Sequence, residues 1–408
     1  MQRVRMSLPY FNQFGWDVEV MAVDPHYSEM AKDELLLQSV PPNVKVHHVK
    51  AWHKGWTSKF GLGSIALRSL LFYRSKVNGM LKTGRFDLVY FSTTQFQVCV
   101  LGCYWKKRFK VPYVIDMQDP WHSEYYRDKP KHQRPKKYWL SYRMNKYLEP
   151  KAMKTVDGLI SVSQDYIADL KQRYPEIKNI PGETITFGAF EPDFSIAERS
   201  KALFDPILDP TFVNVVYIGR GGLDMHKAVG VLFESFKNAL PKDENLKKIK
   251  FWFIGTSYAP NGQGTPTIAP LAEEHGIANY VTEITDRISY YHTLLTLQQA
   301  NALFVPGSDD PKYTASKIYP YLLAKKPLLA IFNRESSAMG ILKEYQAEHV
   351  LSFDDSDANA IIQSFLKKVL NKQLTTAEYN VQALQKYSAS NMARRQCDLF
   401  NKVIDGKN

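Results

Sequence analysis

The sequence predicts an α/β protein built from two successive doubly wound, Rossmann-like domains, each a parallel sheet with helices on both faces. Three observations predict it. Short apolar runs alternate with longer amphipathic stretches, the order that builds parallel sheets through helical crossovers. The alternation stops across 191–210, a stretch without strong pattern that holds three prolines, and then restarts. The chain has 408 residues, enough for two or three domains with real cores.

In the first half, strands are expected over 17–23, 43–48, 87–92, 113–117, 157–162 and 184–187, each a short run of mainly apolar side chains. A mixed helix opens the chain. Further helices fall at 65–81, about 95–109, 134–154 and about 164–173, the last with Ser163 as its N-cap. In the second half, strands are expected over 212–218, 249–254, 280–284, 302–305, 328–332 and 349–353. The helices between and after them are expected at about 227–240, 266–275, 290–299, 316–324, 357–370 and 376–403. Tyr217, Phe251, Trp252 and Phe253 belong to the core, because short unbroken apolar runs are what buried parallel strands look like. The domains are therefore expected at 1–195 and 205–384, with a terminal helix at about 385–408 packing back on the first domain. Ligands bind in such folds at the carboxyl ends of the sheets, here in a cleft between the two domains.

Hydrophobic residues make up 44% and charged residues 23%, ordinary globular usage that excludes a mainly disordered chain, a fibrous repeat and a small stapled scaffold. No uncharged apolar run reaches the roughly 18 residues of a membrane span. The opening Met1-Gln2-Arg3-Val4-Arg5-Met6 is too polar for a signal-peptide core, so a cytoplasmic location is expected. Cys99, Cys103 and Cys397 have no zinc spacing and form no disulfide framework; buried free thiols are expected. No metal site is expected.

Charge is the first informative deviation. Lys plus Arg is 53 and Asp plus Glu is 41, a net +12. Between Tyr104 and Lys154 there are 14 basic and 5 acidic residues, a surplus of 9, leaving only +3 for the rest. Lys136, Lys137, Trp139 and Arg143 lie in this stretch, cations interleaved with aromatics. The pattern suits an anionic membrane surface. It also suits nucleic acid, or simply a solvated helix face.

Two motifs carry chemistry. The first follows a strand: Ile218-Gly219-Arg220-Gly221-Gly222-Leu223-Asp224-Met225-His226-Lys227. Its glycines let the backbone approach a ligand, and the next helix points its amino end at the loop, where amides and dipole favour phosphate. Arg220 and Lys227 are placed to neutralise a diphosphate. The Gly-Lys-Ser/Thr ending of a Walker loop is missing, and a plain tight turn remains the alternative. The second motif, Thr314-Ala315-Ser316-Lys317-Ile318-Tyr319-Pro320-Tyr321-Leu322, opens a helix soon after a buried strand. Ser316 and Lys317 stand at its amino end, again suited to an anion.

This second motif resembles the "SK-Y-EYL-A-GKP-LA" signature of bacterial glycosyltransferases with the two-domain GT-B fold, family 4 type. Three other stretches resemble the same family in the same order. They are Met1-Gln2-Arg3 through Phe14-Gly15-Trp16-Asp17-Val18, Ile115-Asp116-Met117-Gln118-Asp119-Pro120-Trp121, and Thr285-Asp286-Arg287-Ile288-Ser289-Tyr290 with the 297–306 segment. Together they cover nearly the whole chain. The resemblance implies a nucleotide-diphospho-sugar co-substrate held by the second domain, and no other cofactor. Gly219, Arg220, Gly221, Gly222 and Lys227 would contact the diphosphate, with Ser316 and Lys317 close by. Gly255, Arg287, Tyr290 and Tyr321 would shape the base and ribose pocket. A saccharide or lipid-linked acceptor would approach past Asp119, Trp121 and His122, at a face carrying Lys136, Lys137, Trp139 and Arg143. Asp119 or His122 would orient or deprotonate the acceptor hydroxyl; a helix cap and a structural hydrogen bonder are the plainer roles for the two. Transfer with retention of configuration and without a metal is implied.

The chain departs from the family in two places. Pro320 stands where a glutamate is common, and the upstream acids Asp309 and Asp310 are displaced. The family also begins with a strand and glycine-rich turn before the "QR" helix, so Met1 is expected to be an internal or mis-assigned start. The leading expectation is a glycosyltransferase of surface polysaccharide or glycolipid synthesis, peripheral on the inner membrane face. A catalytically degenerate, sugar-nucleotide-binding homologue is the alternative, and no nucleic-acid partner is expected, because it would leave four ordered motifs unexplained.

Overall fold

The computed structural model describes residues 2–28, 33–124, 126–128, 130–131, 134, 138–310 and 318–406. They form two compact units, residues 1–188 with 389–408, and residues 189–388. The unit boundaries are thus Gly188–Ala189 and Ser388–Ala389.

The first unit holds β1 (Val20–Val23), β2 (Val46–Val49), β3 (Val89–Ser92), β4 (Tyr113–Met117), β5 (Gly158–Ser161) and β6 (Gly182–Thr184). All pairings are parallel. They make two sheets, β1-β2 and β3-β4-β5-β6. β4 is buried at every position and lies inside its sheet, which is why its sequence is an almost unbroken apolar run. The helix Ala389–Asp405 packs in this unit, with Phe400 against Phe11, Trp16 and Tyr90.

The second unit holds β7 (Val213–Ile218), β8 (Ile249–Ile254), β9 (Val281–Ile284), β10 (Ala302–Pro306), β11 (Leu328–Phe332) and β12 (His349–Ser352). They form one parallel sheet in the order β12-β11-β10-β7-β8-β9. The order reverses between β7 and β10, the switch point where a crevice opens at the carboxyl ends of the strands. Phe233, Phe236, Phe251, Phe253 and Phe304 fill the core beside the sheet.

Several expectations need correction. The 191–210 stretch contains a helix, Pro192–Arg199, whose Asp193 is fully buried and accepts hydrogen bonds from Tyr290 at 2.9 Å and Tyr291 at 3.0 Å. Tertiary contacts, not local pattern, hold that helix. The terminal helix is broken into Val381–Lys386 and Ala389–Asp405. The strand expected over 184–187 lies earlier, at Gly182–Thr184. A helix at Ser337–Glu344 was not expected. Cys99 is fully buried, and burial pushes its thiol pKa up, but Cys103 is only half-buried.

Candidate functional site

At the switch point, β7 runs directly into Gly219, Arg220, Gly221 and Gly222, and the helix His226–Ala239 begins four residues later. The loop lies flat on the neighbouring strand end. Gly221 donates its N–H to the Thr256 carbonyl at 2.8 Å, and its own carbonyl accepts from the Thr267 hydroxyl at 2.8 Å. A Cβ at Gly221 would stand 2.9 Å from the Thr256 Cβ, and one at Gly219 would stand 2.5 Å from the Tyr217 hydroxyl, so both positions require glycine. A 3-10 turn, Leu223–Met225, runs directly into this helix without a side-chain cap, and the His226 N–H donates to the Leu223 carbonyl, so the amino end of the helical run sits against Gly222.

Glu283, near the end of β9, braces this arrangement. Its carboxylate accepts from the Thr256 hydroxyl at 2.6 Å and from the N–H groups of Thr267, Ile268 and Ala269 at 2.7–3.1 Å. It therefore holds Thr256 in place and satisfies the amino end of the helix Ile268–Glu274. Sequence reasoning missed Glu283. Its only trace in the sequence is an acid between Thr282 and Ile284 in a strand otherwise fit for burial, which does not say what the acid braces.

The two cations of the loop are both paired. Arg220 makes a bidentate bridge to Asp224, 2.8 and 2.6 Å. Desolvation raises the Asp224 carboxyl, but the hydrogen bonds from Arg220 and Ser308 outweigh it and hold the pKa below the usual range. Lys227 pairs with Asp354 at 3.1 Å and lies over the Phe353 ring. An open pocket of about 330 Å³ adjoins it, lined by Lys227, Asp309, Asn333, Arg334, Glu335, Phe353 and Asp354 at the carboxyl ends of β10, β11 and β12.

On the other side of the switch point stand Gly255 and Arg287. Gly255 has φ +73°, donates to the Ile284 carbonyl at 2.8 Å, and faces the Arg287 backbone. The Arg287 guanidinium sits 4.6 Å above the ring of Tyr258. The two tyrosines expected in this pocket face elsewhere. Tyr290 is bound to Asp193. Tyr321 is 2% exposed and clasps Ile218, accepting its N–H at 2.7 Å and donating to its carbonyl at 3.0 Å. It stands behind the glycine loop as scaffold, a correction to its placement in the pocket. Ser316 and Lys317 lie outside the described residues.

In the first unit, Asp119, Trp121 and His122 follow β4. Asp119 is exposed, and what burial it has raises its carboxyl. Trp121 is 5% exposed, stacked on Phe96 and donating to Asn145 at 3.2 Å, so it is a core residue and not part of an acceptor or membrane face. His122 is clamped through its backbone. Its N–H reaches the buried Glu149 carboxylate at 2.8 Å, and its carbonyl accepts from Arg173 at 3.3 Å. Desolvation lowers the His122 pKa, opposed by the charge of Glu149. Its ring lies 4.9 Å from Tyr142. Beyond it, the helix Tyr138–Met153 exposes Arg143 and leaves Trp139 49% exposed. Lys136 and Lys137 lie outside the described residues. Among the described residues, no cluster of His, Cys, Asp and Glu is arranged to hold a metal, and no helix is long and apolar enough to cross a membrane.

No protein-family model matches the sequence. No curated protein matches it. Solved structures do. The sucrose-phosphate synthase of Thermosynechococcus elongatus superposes with TM-score 0.53 at 15% identity, covering 99% of this chain and 93% of that one. The Anabaena HepE protein, solved in complex with UDP, gives TM-score 0.54 at 14% identity, covering 97% and 93%. The N-terminal domain of a Candida albicans trehalose-6-phosphate phosphatase gives 0.54 at 13%, with the same coverage. The fold is GT-B. At these identities the GT-B likeness establishes architecture, and the chemistry must be argued from this chain's own residues.

Proposed function

We propose that the protein is a glycosyltransferase that moves a sugar from a nucleotide-diphospho-sugar to a saccharide or lipid-linked acceptor. The observation that carries this reading is the glycine loop at the switch point, pinned by Gly221–Thr256 and Thr267–Gly221 hydrogen bonds before a helical run that starts at Leu223 without a side-chain cap. A diphosphate meets backbone amides and a helix amino end there. The fold shared with HepE, solved with UDP, supports the same ligand class.

In the transfer step the acceptor oxygen bonds to the anomeric carbon as the sugar–phosphate bond breaks, and negative charge develops on the leaving diphosphate. Arg220 and Lys227 neutralise it as Asp224 and Asp354 give way to phosphate, and transfer proceeds without a metal. Ser316 and Lys317 add to this grip, and Arg287 borders the base and ribose. His122, three residues after Asp119, orients the acceptor hydroxyl and takes its proton. Its lowered pKa keeps the imidazole neutral, the form a base needs. Configuration is retained. The helix bearing Trp139 and Arg143 faces an anionic membrane surface, which suits glycolipid or surface-polysaccharide synthesis inside the cell. Pro320, which opposes nothing to a ribose hydroxyl, favours a second reading, a degenerate sugar-nucleotide-binding homologue.

Acceptor-dependent release of nucleoside diphosphate from UDP-, GDP-, ADP- and TDP-sugars, assayed with membrane lipid extract, tests the proposal. One nucleotide class should support release, and His122→Ala should slow it about 100-fold or more. Binding without release under any acceptor would leave the degenerate homologue.

A further inference from the structure

We propose that the exposed ring of Tyr258 is the platform on which the donor's nucleobase stacks; this rests on the nucleotide-sugar reading above. With the diphosphate at the glycine loop, the nucleoside must run along the carboxyl edge of the sheet in one of two directions. Toward β10–β12, the pocket beside Lys227 is lined by charged and amide groups, and its one aromatic ring, Phe353, is already covered by the Lys227 ammonium at 5.1 Å. Toward β8 and β9, the chain leads from Thr256, which holds Gly221, to Tyr258 two residues on. The Tyr258 ring is 67% exposed. Arg287 covers one of its faces from 4.6 Å.

An exposed aromatic on a loose loop would mean little. This loop is tied down. Ser257 donates to the Thr285 carbonyl at 3.1 Å, Gly262 donates to the Asp286 carboxylate at 2.8 Å, and Gln263 closes a turn onto Pro260 at 2.9 Å. Gly264 packs so closely that an added Cβ would stand 2.7 Å from Thr285. The backbone flanking Tyr258 is thus held, with Thr256 bonded to the phosphate loop, before any ligand arrives, and preorganisation of this kind reduces the ordering cost of binding. A nucleobase on the open face of Tyr258, with the guanidinium on the other, completes a stack that any base can join. Tyr290 and Tyr321, committed to Asp193 and Ile218, are not competitors for the role.

The test is a titration of UDP, GDP, ADP, TDP and inorganic pyrophosphate into the full chain and its Tyr258→Ala and Tyr258→Trp variants. Tyr258→Ala should weaken the tightest of the four nucleotides about tenfold, the size expected for one lost stack, while pyrophosphate stays within about twofold. Tyr258→Trp should restore the nucleotide. Unchanged nucleotide affinity in Tyr258→Ala, or equal losses for nucleotide and pyrophosphate, would overturn the inference. So would a wild type that binds pyrophosphate and none of the nucleotides. A wild type that binds none of the five probes would instead remove the nucleotide-sugar reading itself.

Discussion

The carboxyl ends of the two larger parallel sheets are finished in opposite ways. In the second unit, β7 and β8 end in Gly219 and Gly255, and the polar side chains nearby (Glu283, Tyr321) brace backbone from behind. In the first unit the chain plugs its own edge. Arg3 and Asp116, both 0% exposed, form an ion pair at 2.8 Å. Asp116 also accepts from Tyr90, Ser92 and Gln118, while Arg3 donates to the carbonyls of Ile185 and Thr186. Charges tie the ends of β3, β4 and the segment after β6 into one buried network. A sheet edge left open and glycine-lined is free to take a ligand, whereas one closed by its own buried ion pair serves the fold. The difference supports the proposed placing of the nucleotide in the second unit.

The strongest way to break this comparison is Asp116→Ala, which leaves Arg3 buried without its carboxylate. A loss of about 3–5 kcal/mol in urea unfolding is expected, confined to the first unit's transition, with UDP affinity kept. Marginal destabilisation would mean that the edge is not plugged as described. A smaller loss is expected for Tyr321→Phe, which strands the Ile218 N–H, about 1–3 kcal/mol in the second unit's transition. Nucleotide affinity should change less than in Arg220→Ala, since Tyr321 acts from behind the loop. An equal loss of affinity would return Tyr321 to the pocket.

The smallest effect is pH dependence. Desolvation lowers the pKa of His122, His292 and His349 below 6.5. Above that value these groups are neutral in both states and cost nothing. As pH falls through 6.5 the unfolded chain takes protons first, so stability declines. Thermal unfolding at pH 5.5 should therefore begin below that at pH 7.5, and His349→Gln should flatten part of the slope. A melting temperature that rises on acidification would contradict the sign.

Much of the fold was legible because local signals agreed with the global structure. The strands at Tyr113–Met117, Ile249–Ile254 and Leu328–Phe332, and the helices at Ile65–Leu81 and Tyr290–Gln299, begin and end at the residues the periodicity predicts. Ser163 caps its helix as expected, accepting from Asp165 at 3.3 Å. The helix at Pro192–Arg199 was not legible, since it depends on two tyrosines about a hundred residues away gripping Asp193. The glycine loop could be read from sequence, but its brace Glu283 could not be assigned without the fold that brings it to Thr256 and Thr267. Trp121 and Tyr321 teach the same point from the other side. An aromatic in a motif looks like a ligand contact until tertiary packing turns it into the core.

Calorimetric titration of nucleoside diphosphates into the wild type and an Arg220→Ala, Lys227→Ala variant tests the central claim most directly. The account predicts saturable binding of one nucleotide class to the wild type, with a loss in the variant of 2 kcal/mol or more, about 30-fold, as expected when charge-assisted hydrogen bonds to phosphate are removed. Equal affinity in the two proteins, both folded, would place the phosphate elsewhere and contradict the assignment of the glycine loop.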